Sequence, residues 1–249
     1  MRDLAKQVVI VTGAAQGIGR CIADTLAARG AHVIVADIAV REGLKATAEL
    51  VDRGDLADFR ELDITDPKAC AALANDVARV FGRIDALVNN AGLDGPRGRA
   101  WEIEEDAWRH VIDVDLNGPW WCTRAVLPQM MEQKRGRIVF ISSIAARLPG
   151  LAVSPAYATS KAGLIGLTVA LSAQVEPFGI LVNAIMPGAT GNTGYPTPEA
   201  DKQAYLAQYP LGFGGPQPVA DGVLYLLADS GKWISGAALN ISGGNFRGL

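Results

Sequence analysis

Three residues, Ser143, Tyr157 and Lys161, could together move a proton on and off a hydroxyl group. Tyr157 and Lys161 are spaced i, i+4, so they share one face of a helix. Ser143 directly follows the apolar run Arg137–Ile141 (RIVFI) and Ser142. An alcohol that gives up a hydride to an acceptor must lose its hydroxyl proton as well. A phenol, with an ordinary pKa of about 10, is a poor base near neutrality. A cation about 4 Å away, at an effective dielectric of about 20, favours the phenolate by roughly 4 kcal/mol. That is some 3 pK units, enough to bring a phenol into the range where general acid–base catalysis is efficient. Ser143 would hold and orient the substrate oxygen. A Y-x-x-x-K pair alone is more often a surface pair, so the reading depends on what accompanies it.

What accompanies it is Thr12-Gly13-Ala14-Ala15-Gln16-Gly17-Ile18-Gly19, placed after the apolar run Val8–Val11 and before a helical pattern. A glycine-rich turn there lets backbone approach a pyrophosphate at a helix N-terminus, where unpaired N–H groups and the dipole favour anions. The spacing is G-x-x-x-G-x-G, and alone it would mean only a tight strand–helix turn. Asp37 ends the next apolar run, His32–Ala36, where an acid accepts hydrogen bonds from a ribose. A carboxylate repels a 2′-phosphate, and neither Gln16 nor Ile38 supplies a cation to hold one. These residues favour NAD over NADP.

The elements that must position these groups alternate along the chain. Seven apolar runs (Val8–Val11, His32–Ala36, Phe59–Leu62, Ile84–Val88, Arg137–Ile141, Leu181–Ile185 and Ala238–Ile241) read as strands buried on both faces. Between them, apolar stripes of helical period cover Gly17–Arg29, Arg41–Arg53, Pro67–Phe81, Glu104–Met131, Tyr157–Pro177 and Val219–Ala228. Such alternation predicts an α/β fold, a doubly wound parallel sheet of seven strands with helices on both faces. No composition break divides the chain, so residues 1–249 read as one domain. The segment 189–218 reads as a loop or lid over the substrate, with a short helix at Glu199–Gln208.

Composition sets the outer bounds. The 249 residues are 49% hydrophobic and 20% charged, with a formal net charge of -3. That is no footprint of nucleic-acid binding, and no apolar run is long enough to span a membrane. The N-terminus lacks the anatomy of a signal peptide. Cys21, Cys70 and Cys122 are odd in number and form no C-x-x-C, which fits a reduced, cytoplasmic chain. His32 and His110 lack partners at ligand spacing, so no metal site is expected. The unusual count is 28 glycines, clustered after strand ends and around 188–215. Glycine is used where backbone turns with positive φ or closely approaches something else.

With Asp63, Asn89-Asn90-Ala91-Gly92 and Pro187-Gly188 falling in order after the glycine turn and Asp37, the chain resembles the short-chain dehydrogenase/reductase family from Val8 to Gly244. The resemblance implies a Rossmann fold binding NAD. It implies that Gly13, Gln16, Gly17, Ile18 and Gly19 cradle the pyrophosphate, that Asp63 and Ile64 contact adenine, and that Asn90, Ala91 and Gly92 line the cofactor. Tyr157 and Lys161 would flank the nicotinamide ribose, and Pro187, Gly188, Thr190 and Asn192 would hold the carboxamide. It also implies a homotetramer, with 104–131 and 157–177 as the natural interface. Three positions depart from the family pattern. Asp115 stands where a catalytic-helix Asn is usual, and Asn117 lies on roughly the opposite helix face. Asp115 could hold the water that relays protons through Lys161, raise the Lys161 pKa and alter the pH optimum. Asn192 replaces a Thr, with Thr190 and Thr193 as competitors, and Ser242 replaces an Asp before Gly243-Gly244.

The reading at this point is an NAD-dependent oxidoreductase acting on a secondary alcohol or ketone, with Tyr157 as general acid/base. The pocket draws on Leu93–Arg99, Ala145–Leu151 and Ala189–Phe213. A sugar, polyol, hydroxy acid or aromatic alcohol suits it about equally. A 3-oxoacyl carrier-protein reductase-like enzyme, docking its partner on Arg97, Arg99 and Arg147, is the alternative. A nucleotide-sensing protein without turnover is the reading from another class, opposed by the intact Ser143, Tyr157 and Lys161.

Overall fold

The computed structural model describes residues 3–96, 99–148, 153–191, 199–209 and 211–248. Asn192, Thr193, Arg97 and Leu151, all named above, lie outside these residues. The strands are β1 (Val8–Thr12), β2 (His32–Asp37), β3 (Leu56–Glu61), β4 (Ala86–Asn89), β5 (Gly136–Ile141), β6 (Ile180–Pro187) and β7 (Ala238–Ile241). They form a seven-stranded sheet in the order β3-β2-β1-β4-β5-β6-β7, parallel at every pairing. The helices are α1 (Gly17–Ala28), α2 (Val40–Asp52), α3 (Pro67–Phe81), α4 (Glu105–Ile112), α5 (Gly118–Gln133), α6 (Pro155–Val175), α7 (Glu199–Gln208) and α8 (Gln217–Leu227).

The apolar runs are continuous because alternate residues feed two cores. Val9, Val11, Val33, Val35 and Val139 pack with α1, α2 and α8 on one face. Val8, Ile10, Ile34, Ile138 and Phe140 pack with α3, α5 and α6 on the other. Among the described residues, no helix is long and apolar enough to cross a membrane. The chain crosses the sheet after β3, so strand order reverses between β1 and β4. Their carboxyl ends form the crevice where open α/β sheets take ligands.

The structure shifts several boundaries for identifiable reasons. β3 starts at Leu56 rather than Phe59. As an edge strand it pairs only with β2 and carries polar side chains: His32 Nε2 lies 2.6 Å from Asp58 Oδ2, and Arg60 Nε donates to Asp76 at 3.0 Å. β4 starts at Ala86 rather than Ile84, because the Asp85 carboxylate is taken up accepting from the Val8 N–H and from Arg83. The single helix expected over Glu104–Met131 is interrupted. One π turn, Asp113–Asn117, separates α4 from α5. Such turns insert an extra residue into the helical ladder and are frequent at functional sites. Here the widened turn carries Asp115, which is fully buried. Asn117 donates instead to Asp113 on the exposed side, at 2.7 Å. Trp120 and Trp121 pack against the core, whereas Trp101 is 79% exposed.

Candidate active site

A cavity of about 650 Å³ opens at the carboxyl edge of the sheet. Its floor begins at the turn after β1. Gly13 adopts φ +65°, and a Cβ there would lie 2.7 Å from the Ala91 Cα, so only glycine lets the β1 and β4 turns meet. Asn90 locks the two turns together by donating from Nδ2 to the carbonyls of Thr12 and Gly13, each at 3.0 Å. Helix α1 starts after Gln16, whose side chain makes no capping bond. The first N–H groups of α1 therefore face the cavity without a side-chain acceptor, as a phosphate would require.

Asp37, at the end of β2, is held firmly. Its Oδ2 accepts from the Ala15 N–H and its Oδ1 from the Ala39 N–H, both at 2.9 Å. It lines the cavity together with Ile38, Asp63 and Ile64. Asp63 Oδ1 is braced by the Thr65 N–H and hydroxyl, at 2.9 and 2.7 Å. These backbone amides, the fixed carboxylate and the glycine floor together fit a dinucleotide.

Ser143, Tyr157 and Lys161 line the same cavity. The two serines after β5 have separate work. Ser142 is buried and its hydroxyl donates to the Lys161 carbonyl at 2.7 Å, tying β5 to α6. Ser143 Oγ accepts from the Ala145 N–H at 3.1 Å, which leaves its own proton free to donate. Lys161 Nζ lies 5.3 Å from the Tyr157 ring centroid. It lies 3.2 Å from Asp115 Oδ2. The pair is a contact of charges rather than an aligned hydrogen bond, since Oδ2 has no donor in line. The other carboxylate oxygen accepts from the Leu93 N–H at 2.7 Å. Burial pulls the ammonium toward its neutral form, but the charges of Asp115, Tyr157 and Asp94 outweigh it. Lys161 therefore titrates above its ordinary range.

Most residues expected at the site line this cavity: Gly13, Gln16, Gly17, Ile18, Asp37, Asp63, Ile64, Asn90, Ala91, Gly92, Ser143, Tyr157, Lys161, Pro187, Gly188 and Thr190. Two described ones do not. Gly19 is buried, packed against the Gly13 carbonyl and the Asn90 amide, and serves to bring α1 onto the sheet. Asp115 lies beneath the lining, behind Gly92 and Lys161. Arg99 and Arg147 are also absent from the described lining. Arg99 instead stacks over Trp101, 5.6 Å from its centroid. Residues not anticipated include Leu62, Thr65, His110 and Val114. His110 and Val114 are an i, i+4 pair, and their spacing next to Asp115 was the signal that could have found them.

At the far end, Phe213 closes the cavity and stacks on Tyr205 of α7 at 4.6 Å. Gly188 leaves room only for Ser242, whose Cα would be 2.8 Å from a Cβ there. Ser242 Oγ accepts from the Phe246 N–H at 3.2 Å, and Asn245 donates to the Tyr205 hydroxyl at 3.3 Å. So Ser242 staples the tail after β7 beneath the turn that follows β6, which gives this departure a structural meaning.

A family model described as short chain dehydrogenase matches residues 7–204. The chain belongs to the short-chain dehydrogenase family. Among curated members, the cis-4-hydroxycyclohexanecarboxylate dehydrogenase of Sinomonas cyclohexanicum is 38% identical over 243 residues, 96% of each chain. A 3-oxoacyl-[acyl-carrier-protein] reductase of Escherichia coli (strain K12) is 34% identical over 96% of this chain and 97% of its own. Among solved members, a 3-oxoacyl-[acyl-carrier protein] reductase from Brucella melitensis with bound NAD superposes with a TM-score of 0.92 at 33% identity. That match covers 99% of this chain and 94% of the other. Members of this family are oxidoreductases that use a nicotinamide cofactor.

Proposed function

We propose that the protein is an NAD-dependent oxidoreductase that interconverts a secondary alcohol and a ketone. The observation that carries this reading is the sharing of one cavity by the glycine turn, Asp37, Ser143, Tyr157 and Lys161. When bound, the nicotinamide supplies the hydride acceptor or donor. The chain's own residues then manage the oxygen and its proton. Ser143 donates its free hydroxyl proton to the substrate oxygen and fixes its position. The Tyr157 phenolate takes the alcohol proton during oxidation and returns it during reduction. Lys161 supplies the positive charge that favours the phenolate. Gln16, the amides of Gly17 and Ile18, and Asp37 hold the dinucleotide. Asp63 and Ile64 bound the adenine, Asn90 to Gly92 the ribose side, and Pro187, Gly188 and Thr190 the carboxamide.

Asp37 supports NAD over NADP: a fixed carboxylate with Ile38 beside it offers a 2′-phosphate repulsion and no cation. The protein is proposed to act as one domain, with 189–218 as its substrate lid, in a cytoplasmic homotetramer. A second reading, reduction of a 3-oxoacyl group on a carrier protein, is favoured by the relatives of that activity. It needs a basic docking face, for which Arg99 and Arg147 are available. A panel of alcohols and ketones assayed with NAD and NADP tests both. The first reading expects free alcohols to be oxidised with NAD preferred. Turnover confined to acyl thioesters, or a clear preference for NADP, would reject it.

A further inference from the structure

The charges around the reacting groups are unevenly placed. Among the described lining residues the only lysine or arginine is Lys161, and Asp115 balances it at 3.2 Å. Asp94 lines the cavity as well. Its segment is pinned on both sides. The preceding Leu93 N–H donates to Asp115 Oδ1 at 2.7 Å. The following Gly95 is packed so closely on Ser154 that a Cβ would collide with that hydroxyl, and it would lie 3.3 Å from the Tyr157 Cβ. Ser154 is itself buried, with an Oγ that finds no partner among the described residues. The Asp94 carboxylate is therefore carried by a short stretch anchored to the partner of Lys161 at one end and to the first turn of α6, beside Tyr157, at the other. Asp94 is exposed at the cavity wall, and its charge is the weakest of those acting on Lys161.

We infer that Asp94 determines substrate class: the site takes an alcohol with a hydrogen-bond donor, hydroxyl or ammonium, beside the reacting carbinol, and turns away one with a carboxylate there. A carboxylate accepts strong, charge-assisted hydrogen bonds from such a donor. A second carboxylate brought alongside is repelled, and the one cation of the described lining, Lys161, already lies next to the Asp115 charge. The inference rests on the oxidoreductase reading above.

Three matched substrates test it: cyclohexanol, cyclohexanol with a second hydroxyl on the neighbouring carbon, and cyclohexanol with a carboxylate there. kcat/KM is measured for wild type, Asp94→Asn and Asp94→Ala, and each value is divided by that of cyclohexanol for the same variant, so that a general loss of folded enzyme cancels. Wild type is expected to rank the diol first and the hydroxy acid last. Asp94→Ala lowers the diol ratio about tenfold, the loss expected for one hydrogen bond to a charged group. Both variants raise the hydroxy-acid ratio by a similar factor. A wild type that prefers the hydroxy acid, or ratios that move in neither variant, would overturn the role of Asp94 while leaving the oxidoreductase reading in place. A wild type inert toward all three with either nucleotide would overturn both.

Discussion

Asp115 Oδ2 lies 3.2 Å from Lys161 Nζ, and neither side chain is more than 6% exposed. The ammonium therefore has a permanent counter-charge, carried by a π turn that sets the carboxylate inward. The sign of its effect on pH follows. Lys161 titrates above its ordinary range because the carboxylates around it outweigh burial. Its charge, and the stability it gives the fold, is thus fully present below the ordinary lysine pKa and lost only as pH rises through the elevated one. Asp115→Asn keeps an acceptor for the Leu93 N–H but removes the charge, so burial gains the upper hand and Lys161 discharges at lower pH. The variant should stay active, with the alkaline limb of its kcat/KM profile moved toward neutrality. Loss of most activity at every pH, or an unmoved limb, contradicts this assignment. Asp115→Leu strands a buried ammonium, at a cost of about 3–5 kcal/mol. Thermal unfolding should show it as a fall of about 10 °C or more.

The glycine floor makes a paired prediction. Gly13 and Gly54 both have positive φ, +65° and +83°, but a Cβ at Gly13 would press on Ala91 whereas one at Gly54 would meet nothing within 4 Å. Gly54→Ala should cost only the backbone strain, about 1 kcal/mol. Gly13→Ala adds overpacking of about 1–3 kcal/mol and parts the β1 and β4 turns. Nucleotide titration should find NAD affinity kept in the first and weakened in the second. Equal affinity in both would show that the close approach of Gly13 to Ala91 does not shape the site.

Cofactor choice is predicted to rest on Asp37. Replacing it with Ser keeps a short acceptor for the Ala15 N–H and removes the negative charge. The ratio of kcat/KM for NADP over NAD should rise at least about tenfold, as expected when a like-charge contact worth over a kilocalorie is removed. An unchanged ratio would place the discrimination elsewhere.

Assembly can be read directly in solution. Trp233 is 95% exposed and Val169, on the proposed interface helix α6, 57%. Light scattering after size exclusion should give a tetramer, and Trp233→Glu a smaller species. A wild-type monomer would reject the proposed assembly.

The sheet was legible in the sequence because its central strands are buried on both faces, and runs such as HVIVA and RIVFI admit few other readings. The edge strand β3 was less legible: Asp58 pairs with His32 of β2 and Arg60 with Asp76 of α3, and these polar residues break the run. The long helix over Glu104–Met131 looked unbroken because apolar residues continue at i, i+4 spacing through Ile112, Leu116 and Trp120. The roles of Gly19 and Ser242 were not legible, since both depend on contacts between segments far apart in the chain. The site was legible in residue type, but the direct pairing of Asp115 with Lys161 was not, because spacing does not tell a direct ion pair from one relayed by water.

The most direct measurement of the central claim is the rate of nicotinamide reduction by wild type and Tyr157→Phe, at saturating NAD, with the best alcohol found in the panel. Wild type should turn over, and the variant should lose at least about a hundredfold in kcat, the scale of general acid–base catalysis, while still binding NAD. A variant that keeps its rate would contradict the assignment of Tyr157 as the group that carries the proton.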